Sequence, residues 1–389
     1  MLEQIQAELV DRLLRHIDDG TTDIAHETVE WSIDAYRDAD IHQRELDTIF
    51  RHSPVIVAHV GQLQSPGDYV ADDVYGIPYL VVRQASGEIR GFVNLCRHRG
   101  TRLADVGSRK AVAEGFTCPW HGWRYGLSGD LCGIPDQQRG FPDIDTENRG
   151  LLPLYTEVRH GFVWLTPESV GTRTVADHLG PLDHEFAAVG MENYTFYEQS
   201  RAATRFNWKL GIEAFLETYH FRWLHPAMKK YVFAPDLSLV DRLGDHVRLV
   251  APKKSVLDNR ALQQQDRRIR EHATIAYVIF PSTVLFLEKR HITVMSMRPA
   301  GPESCDVHFL HIVEEDTLGR RAYWDDNIGK FMEAAAEDFG VLELAQDGMG
   351  RAGRMLIPGY ETVLFGRNEH GLRFFRDSVD AALQARIET

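Results

Sequence analysis

Four residues on two short stretches are of types that hold soft or borderline metals: Cys96 and His98 in CRHRG, and Cys118 and His121 in CPWHGW. Each stretch joins one thiol to one imidazole, as C-x-H and C-x2-H. A structural zinc site usually shows two close cysteines joined to a second such pair or to H-x3–5-H. One cysteine and one histidine from each loop better suits a [2Fe–2S] cluster, with both thiolates on one iron and both imidazoles on the other. Neutral imidazoles in place of two thiolates remove negative charge and raise the reduction potential. Gly100 and Gly122 are expected to let backbone approach the sulfurs, and Pro119 to stiffen the second loop. A structural zinc is the competing reading.

A second constellation stands in NWKLGIEAFLETYHFRWLHP, residues 207–226, where His220 and His225 are five apart. On one straight helix, at about 100° per residue, they would point some 140° apart and could share an ion only if the helix frayed between them. Pro226 is consistent with a helix ending at His225. Glu217 lies three residues before His220, on the same face of a helix. Two histidines, a distant carboxylate and open positions opposite make the facial triad of O2-activating Fe(II) sites. For the carboxylate, the downstream run KFMEAAAEDFGVLELAQDGMG offers Glu333, Glu337, Asp338, Glu343 and Asp347. Helical periodicity sets Asp338 near the stripe of Phe331, Ala335 and Leu342, where an inward-facing acid needs a partner. Spacing alone leaves the choice open.

These residues must be positioned by two kinds of element. Residues 1–37 read as helical, with Ile5, Leu9, Leu13 and Leu14 at helical spacing. From about residue 54 short β-rich runs (PVIVAHV, PYLVVRQ, IRGFVNL, and GFVWL at 161–165) are separated by Gly, Asp and Ser, as in a small antiparallel β domain. A second unit opens with a strand-like stretch and a helix over about 208–222. Strands in AYVIFPSTVLFLEK, HITVMSMRP and CDVHFLHIV follow, then a long helix near 323–347. The fold class is therefore α+β: a small antiparallel β domain over 38–165 and a larger α+β domain over 166–389, on which the helical segment 1–37 packs.

The two motifs together resemble the Rieske non-heme iron oxygenases, whose α subunits carry C-x-H-R-G and C-P-[YW]-H-G-W. The resemblance covers essentially the whole chain, with both motifs in the right order and separation. It differs in a 19-residue stretch between the two cluster loops, slightly longer than the family's usual length. The resemblance implies a Rieske domain with its [2Fe–2S] cluster on Cys96, His98, Cys118 and His121. It also implies a helix-grip-like catalytic domain with a mononuclear Fe(II) on His220, His225 and Asp338. The family's third ligand is an Asp followed five residues later by Glu, with Gln just beyond; Asp338, Glu343 and Gln346 match, and Glu337 is the reserve. Glu217 stands where the family has an acid that hydrogen-bonds a cluster histidine of the neighbouring subunit across a trimer interface, so His121 or His98 would be its partner. The family often has Asp here; Glu occurs in some branches, including the carnitine- and choline-type oxygenases. Glu217 simply orienting His220 is compatible with that role. The resemblance further implies a homotrimer, possibly with a β subunit, and reducing equivalents from NAD(P)H through a partner reductase and possibly a ferredoxin.

The expected activity is that of a terminal oxygenase using O2 to hydroxylate an aromatic or hydrophobic small molecule. Oxidative N- or O-demethylation, including that of quaternary amines, is the alternative. A pure electron carrier is disfavoured by the second constellation and the length beyond the β domain. At 389 residues, 43% hydrophobic and 26% charged, the composition is that of a soluble globular protein. A net charge of −14 argues against a nucleic-acid binder, and no apolar run is long enough to span a membrane. Four cysteines make no disulfide framework, so a reducing cytoplasm is expected. Cys132 and Cys305 read as incidental thiols. GMGRAG at 348–353 satisfies G-x-G-x-x-G but follows a polar helix where a dinucleotide site needs a strand. Of the strand histidines His291, His308 and His311 most read as structural, the last two as possible pocket lining. Residues 253–272 mix charges and read as a solvated surface segment.

Overall fold

In the computed structural model, the residues described are 2–107, 112, 114–168, 173–226, 236–314 and 319–385. The chain divides into two units: Phe50–His178, and Met1–Ile49 together with Leu179–Thr389.

The first unit is built on antiparallel β-sheets, with a few short helical turns between strands. Its six-stranded sheet runs β1-β9-β8-β4-β3-β2, where β1 is Val55–His59, β2 Tyr69–Val74, β3 Ile77–Arg83, β4 Ile89–Val93, β8 Pro153–Arg159 and β9 Phe162–Thr166. A three-stranded sheet of β5 (Phe116–Thr117), β6 (Arg124–Tyr125) and β7 (Leu131–Gly133) completes it. Strand period explains why the middle of β3, Tyr79–Val82, is buried on both faces. Tyr79 and Val81 enter a core with Val57, Val70 and Leu165. Leu80 and Val82 enter a second core with Phe92, Phe116, Trp123 and the two cysteines Cys96 and Cys118. A strand feeding two cores stabilises both, each fully buried Leu or Val contributing roughly 1.5–3 kcal/mol.

The second unit is built on a seven-stranded antiparallel sheet, β10-β16-β15-β14-β13-β12-β11. These strands are β10 Tyr194–Thr204, β11 Leu239–Leu243, β12 His246–Pro252, β13 Ala273–Ile279, β14 Thr283–Leu287, β15 His291–Gly301 and β16 Ser304–Glu314. Register places Phe286 opposite Thr293, Thr293 opposite His311, and Met295 opposite Phe309. Helices α1 (Glu3–Asp19), α2 (Ala39–Thr48), α3 (Trp208–Glu213), α4 (Phe221–Leu224), α5 (Arg321–Met355) and α6 (His370–Gln384) surround it. Phe331 of α5 meets Phe286 and Phe309 edge-on, at ring separations of 5.1 and 6.5 Å, so α5 lies over this face of the sheet.

Three expectations are corrected. The segment 1–37 is helical only over Glu3–Asp19 and then over a short turn at Ile33–Tyr36, because Val29–Ser32 pairs as a strand with Thr362–Phe365. The domain boundaries fall at 49/50 and 178/179 instead of 37/38 and 165/166. Helix α2 belongs with the larger unit because its buried Glu45 takes Lys209 Nζ at 2.5 Å and Trp208 Nε1 at 2.8 Å. The helix expected over 208–222 is two short helices, α3 and α4, with residues 214–220 between them. The charged segment 253–272 lies mostly at the surface, as expected, and is tied to α1: Arg260 pairs with Asp18, and Arg267 and Gln264 bond Asp11. The G-x-G-x-x-G stretch lies wholly inside α5, so no phosphate-cradling loop forms there. Among the described residues no helix is long and apolar enough to cross a membrane.

Candidate metal centres

The two cysteine–histidine stretches fold into matching loops. In the first, Cys96 N–H donates to Thr101 O at 2.8 Å and Gly100 N–H to Cys96 O at 2.9 Å. In the second, Cys118 N–H donates to Trp123 O at 2.8 Å and Gly122 N–H to Cys118 O at 3.0 Å. Gly100 and Gly122 have φ of 76° and 71°, the left-handed region that glycine adopts without strain. A Cβ on Gly100 would meet nothing within 4 Å, so backbone conformation, not a close approach within the protein, requires that glycine.

These loops bring their four donors together. Both thiols are 3% exposed within the core of the β unit. The His98 and His121 rings stand 4.7 Å apart, and the Nδ1 atoms of both are buried without a protein partner. Buried polar atoms almost always have partners; two orphaned imidazole nitrogens beside two buried sulfurs fit a group bound by all four. Trp123 lies flat on His98 at 4.8 Å, fixing its plane. Tyr125 Oη accepts the Arg97 N–H at 2.9 Å, leaving its own hydrogen for Cys96 Sγ at 3.3 Å. Burial pushes the Cys96 thiol up, the Tyr125 hydroxyl draws it back, and the adjacent Cys118 adds to the rise. A hydrogen bond to a sulfur raises the potential of a cluster held there. Sequence reasoning missed Tyr125, which no motif marks.

The second constellation converges as well. One ligand atom each from His220, His225 and Asp338 lies within 4.8 Å of the others. The broken helix makes this possible. Glu217 accepts the backbone N–H groups of Tyr219 and His220, which starts α4 afresh. Pro226 turns His225 out of helical conformation, to φ −114° and ψ 67°. The two histidines thus bracket α4 with ring centroids 5.3 Å apart. Each presents Nε2 to the same oxygen, Asp338 Oδ1, at 3.5 Å for His220 and 2.9 Å for His225.

Each imidazole is held from behind by a carboxylate. His220 Nδ1 bonds Glu217 Oε1, and His225 Nδ1 bonds Glu337 Oε2 at 2.6 Å. Glu337, the reserve ligand from sequence, faces the far nitrogen of His225 and lies outside the group of three whose ligand atoms come together. Carboxylates behind metal-binding histidines fix the ring and leave Nε2 for the ion. Burial draws His225 down, but Asp338 and Glu337 outweigh it and hold the imidazole above its ordinary value. Asp338, 5% exposed, has its charge compensated only by these two rings among the contacts described.

Helix α5 is fixed in register by Glu343 and Gln346. Glu343 takes the Arg205 N–H at 3.0 Å and its guanidinium at 2.7 Å. Gln346 Oε1 takes the Asn207 N–H at 2.8 Å, while its Nε2 donates to Tyr36 O at 3.1 Å. Arg205 and Asn207 immediately precede α3, the entry to the histidine segment. The Asp–Glu–Gln spacing thus ties the acid's helix to the start of the histidines' segment.

Two family models match the chain: the Rieske [2Fe-2S] domain over residues 53–155, and the ring hydroxylating alpha subunit catalytic domain over residues 191–385. The chain belongs to the Rieske non-heme iron oxygenase α-subunit family. Chlorobenzene dioxygenase subunit alpha of Cupriavidus sp. (strain PS12) is 32% identical over 192 residues, 48% of this chain. The match spans 42% of that relative, and 28% and 46% of two other dioxygenase subunits, under half of each. Chloroplastic choline monooxygenase of Amaranthus tricolor is 25% identical over 333 residues, 83% of this chain and 73% of that one. A crystal structure of a quaternary ammonium Rieske monooxygenase shares the fold, with a TM-score of 0.76 and 21% identity over 93% of this chain and 96% of that one. In this family member, His308 and His311 are buried on the catalytic sheet, and Cys132 is an exposed thiol.

Proposed function

We propose that the chain is the terminal oxygenase of a multicomponent system and hydroxylates an aromatic or otherwise hydrophobic small molecule. The observation that carries this reading is the setting of the His220–His225–Asp338 triad. Asp338 projects from the helix whose Phe331 and Phe339 pack against Phe286, Phe309 and Phe206. Phenylalanines on the helix that supplies the acid, together with Phe221 against both histidines, suit an apolar, flat substrate.

Cys96, His98, Cys118 and His121 would hold the [2Fe–2S] cluster, and His220, His225 and Asp338 the mononuclear iron. When bound, the cluster supplies single electrons and the mononuclear iron supplies the O2 chemistry. Glu217 retains the Nδ1 proton of His220, and Glu337 that of His225, so both rings keep Nε2 free for the ion. In a homotrimer, possibly with a β subunit, Glu217 would also reach His121 or His98 of a neighbouring copy and join the two centres. Reducing equivalents from NAD(P)H would arrive through a partner reductase and possibly a ferredoxin.

The test is iron analysis and EPR of the purified chain before and after dithionite, then product analysis with a surrogate reductase. Expected are three irons per chain, a paramagnetic signal on reduction, and a hydroxylated aromatic product. A pale protein binding one divalent ion, with no signal on reduction, would overturn the proposal. A second reading, oxidative demethylation of a quaternary amine, draws on Glu217 at the bridging position and on the likeness to a choline monooxygenase across 83% of the chain. Formaldehyde released from an N-methyl substrate, with no ring hydroxylation, would favour it.

A further inference from the structure

His311 lies on β16, directly across from Thr293 of β15. Its ring is fully buried, stacked at 6.4 Å on Phe309 and met edge-on at 6.3 Å by Phe331. Phe331 in turn meets Phe286, the cross-strand neighbour of Thr293. It precedes Asp338 on α5 by seven residues, two helical turns or about 10 Å. The imidazole is thus a polar group set among phenylalanines on the sheet face that α5 covers.

One nitrogen of that ring is accounted for and the other is not. Nδ1 bonds Thr293 Oγ1 at 2.9 Å, whereas Nε2 is buried with no hydrogen-bond partner. Counting hydrogens decides the tautomer. If Nδ1–H donated to Thr293, both the threonine hydrogen and the Nε2 lone pair would lack partners, because the Thr293 hydroxyl has no other partner among the described residues. If the threonine hydroxyl donates to Nδ1, only one group is left over: an Nε2–H donor. Burial also holds His311 well down, to about 4, so the ring is neutral near pH 7. An unmet N–H in an aromatic setting costs free energy that a ligand's acceptor atom would recover.

We propose that His311, set by Thr293, is a specificity-determining residue that selects a neutral, flat aromatic molecule carrying a hydrogen-bond acceptor such as a carbonyl oxygen. The assignment deepens the oxygenase reading and rests on it, since it names the substrate class for the same site. A neutral donor among phenylalanines gives an ammonium group no countercharge, and meets a carbonyl without leaving a charge buried.

The test is equilibrium binding by calorimetry on the full chain, with 1-indanone and indane, bicyclics of like shape with and without the acceptor. The wild-type chain is expected to bind 1-indanone at least tenfold more tightly. His311→Phe should weaken 1-indanone by about tenfold and leave indane unchanged, erasing the preference. Thr293→Val should lose part of it, and Thr293→Ser should retain it, separating a positioning role from general packing. Circular dichroism and thermal melting check that each variant folds. Equal binding of the two probes by the wild type, no binding of either, or a preference surviving in His311→Phe would overturn the assignment. Because binding needs no turnover, a His311-dependent preference in a chain lacking the iron signals would sink the oxygenase reading and keep the aromatic site. A chain with both iron signals and no preference would do the reverse.

Discussion

Glu337→Ala probes how the triad is built. Glu337 holds His225 Nδ1 at 2.6 Å, yet its side chain is 50% exposed. Carboxylates placed behind a ligating histidine typically contribute 10- to 100-fold in metal affinity. Exposure screens the interaction, so the lower end applies: about tenfold, or about 1.4 kcal/mol. Asp338→Ala should behave differently in kind. Asp338 is 5% exposed and faces both histidines, so its loss leaves two neutral donors and no anionic one. The assay is competition of Fe(II) against a chelator, with the visible absorbance of the cluster as internal standard for folded protein. Glu337→Ala should show a tenfold weaker mononuclear site, Asp338→Ala no stoichiometric site, and both an undiminished cluster. Parental affinity in Glu337→Ala would refute the orienting role. Iron retained by Asp338→Ala but lost from Glu337→Ala would return Glu337 to the ligand set.

Glu217→Ala should leave the cluster intact but weaken the mononuclear site, because Glu217 also caps α4 and holds His220; single-turnover reoxidation of the cluster should nearly stop, and a parental rate would remove the bridging role. Gly122→Ala places a Cβ at φ 71° and 3.1 Å from Pro135 Cγ, so it should cost about 1–2 kcal/mol and lower cluster occupancy, read by melting and by iron per chain. Glu45→Ala strands Lys209, 1% exposed, and the Trp208 N–H; urea unfolding should show a loss of about 3–5 kcal/mol. Burial raises the Glu213 carboxyl from 4.5 to about 7, so the folded chain holds a proton there that the unfolded chain releases. Stability from this group is therefore present below about 4.5 and lost as pH rises through about 7, by up to about 3 kcal/mol, a slope that Glu213→Gln should flatten in unfolding measured from pH 4.5 to 8.

Both centres were legible in the sequence to different depths. Cys96, His98, Cys118 and His121 announce themselves because two rare ligand types recur at short spacing on loops whose geometry is local. His220 and His225 could be paired only with Pro226 as a clue to a broken helix. The break itself depends on Glu217 capturing two amides, a competition between side chain and backbone that helical periodicity does not register. Strand β12, HVRLVAP, carries an arginine in the middle of an apolar run. Arg248 is nonetheless 6% exposed, satisfied by Glu185 at 2.8 Å and Asp241 at 2.8 Å, partners that no local pattern shows. The same holds for the segment 253–272, whose anchors Asp11 and Asp18 lie more than 240 positions away in sequence. Residues 39–48, expected in the β domain, join the larger unit through Glu45, and nothing local to that acid shows that it is buried.

The two centres are built by opposite means, and this decides how each tolerates change. The cysteine–histidine loops close on themselves through hydrogen bonds spanning four and five residues, so their donor geometry survives wherever the β core is intact. The triad has no such local closure, since Asp338 reaches His220 and His225 across 118 and 113 positions of chain. A slip of α5 by one residue would move the carboxylate about 1.5 Å along the axis and about 100° around it, enough to disperse the site. Glu343 and Gln346 resist that slip by binding Arg205 and Asn207 just ahead of α3. The acid and the histidines are thereby referenced to one short stretch of backbone. Metal affinity should then be sensitive to residues well away from any ligand, and most sensitive at Gln346, which is 3% exposed and ties α5 to both Asn207 and Tyr36.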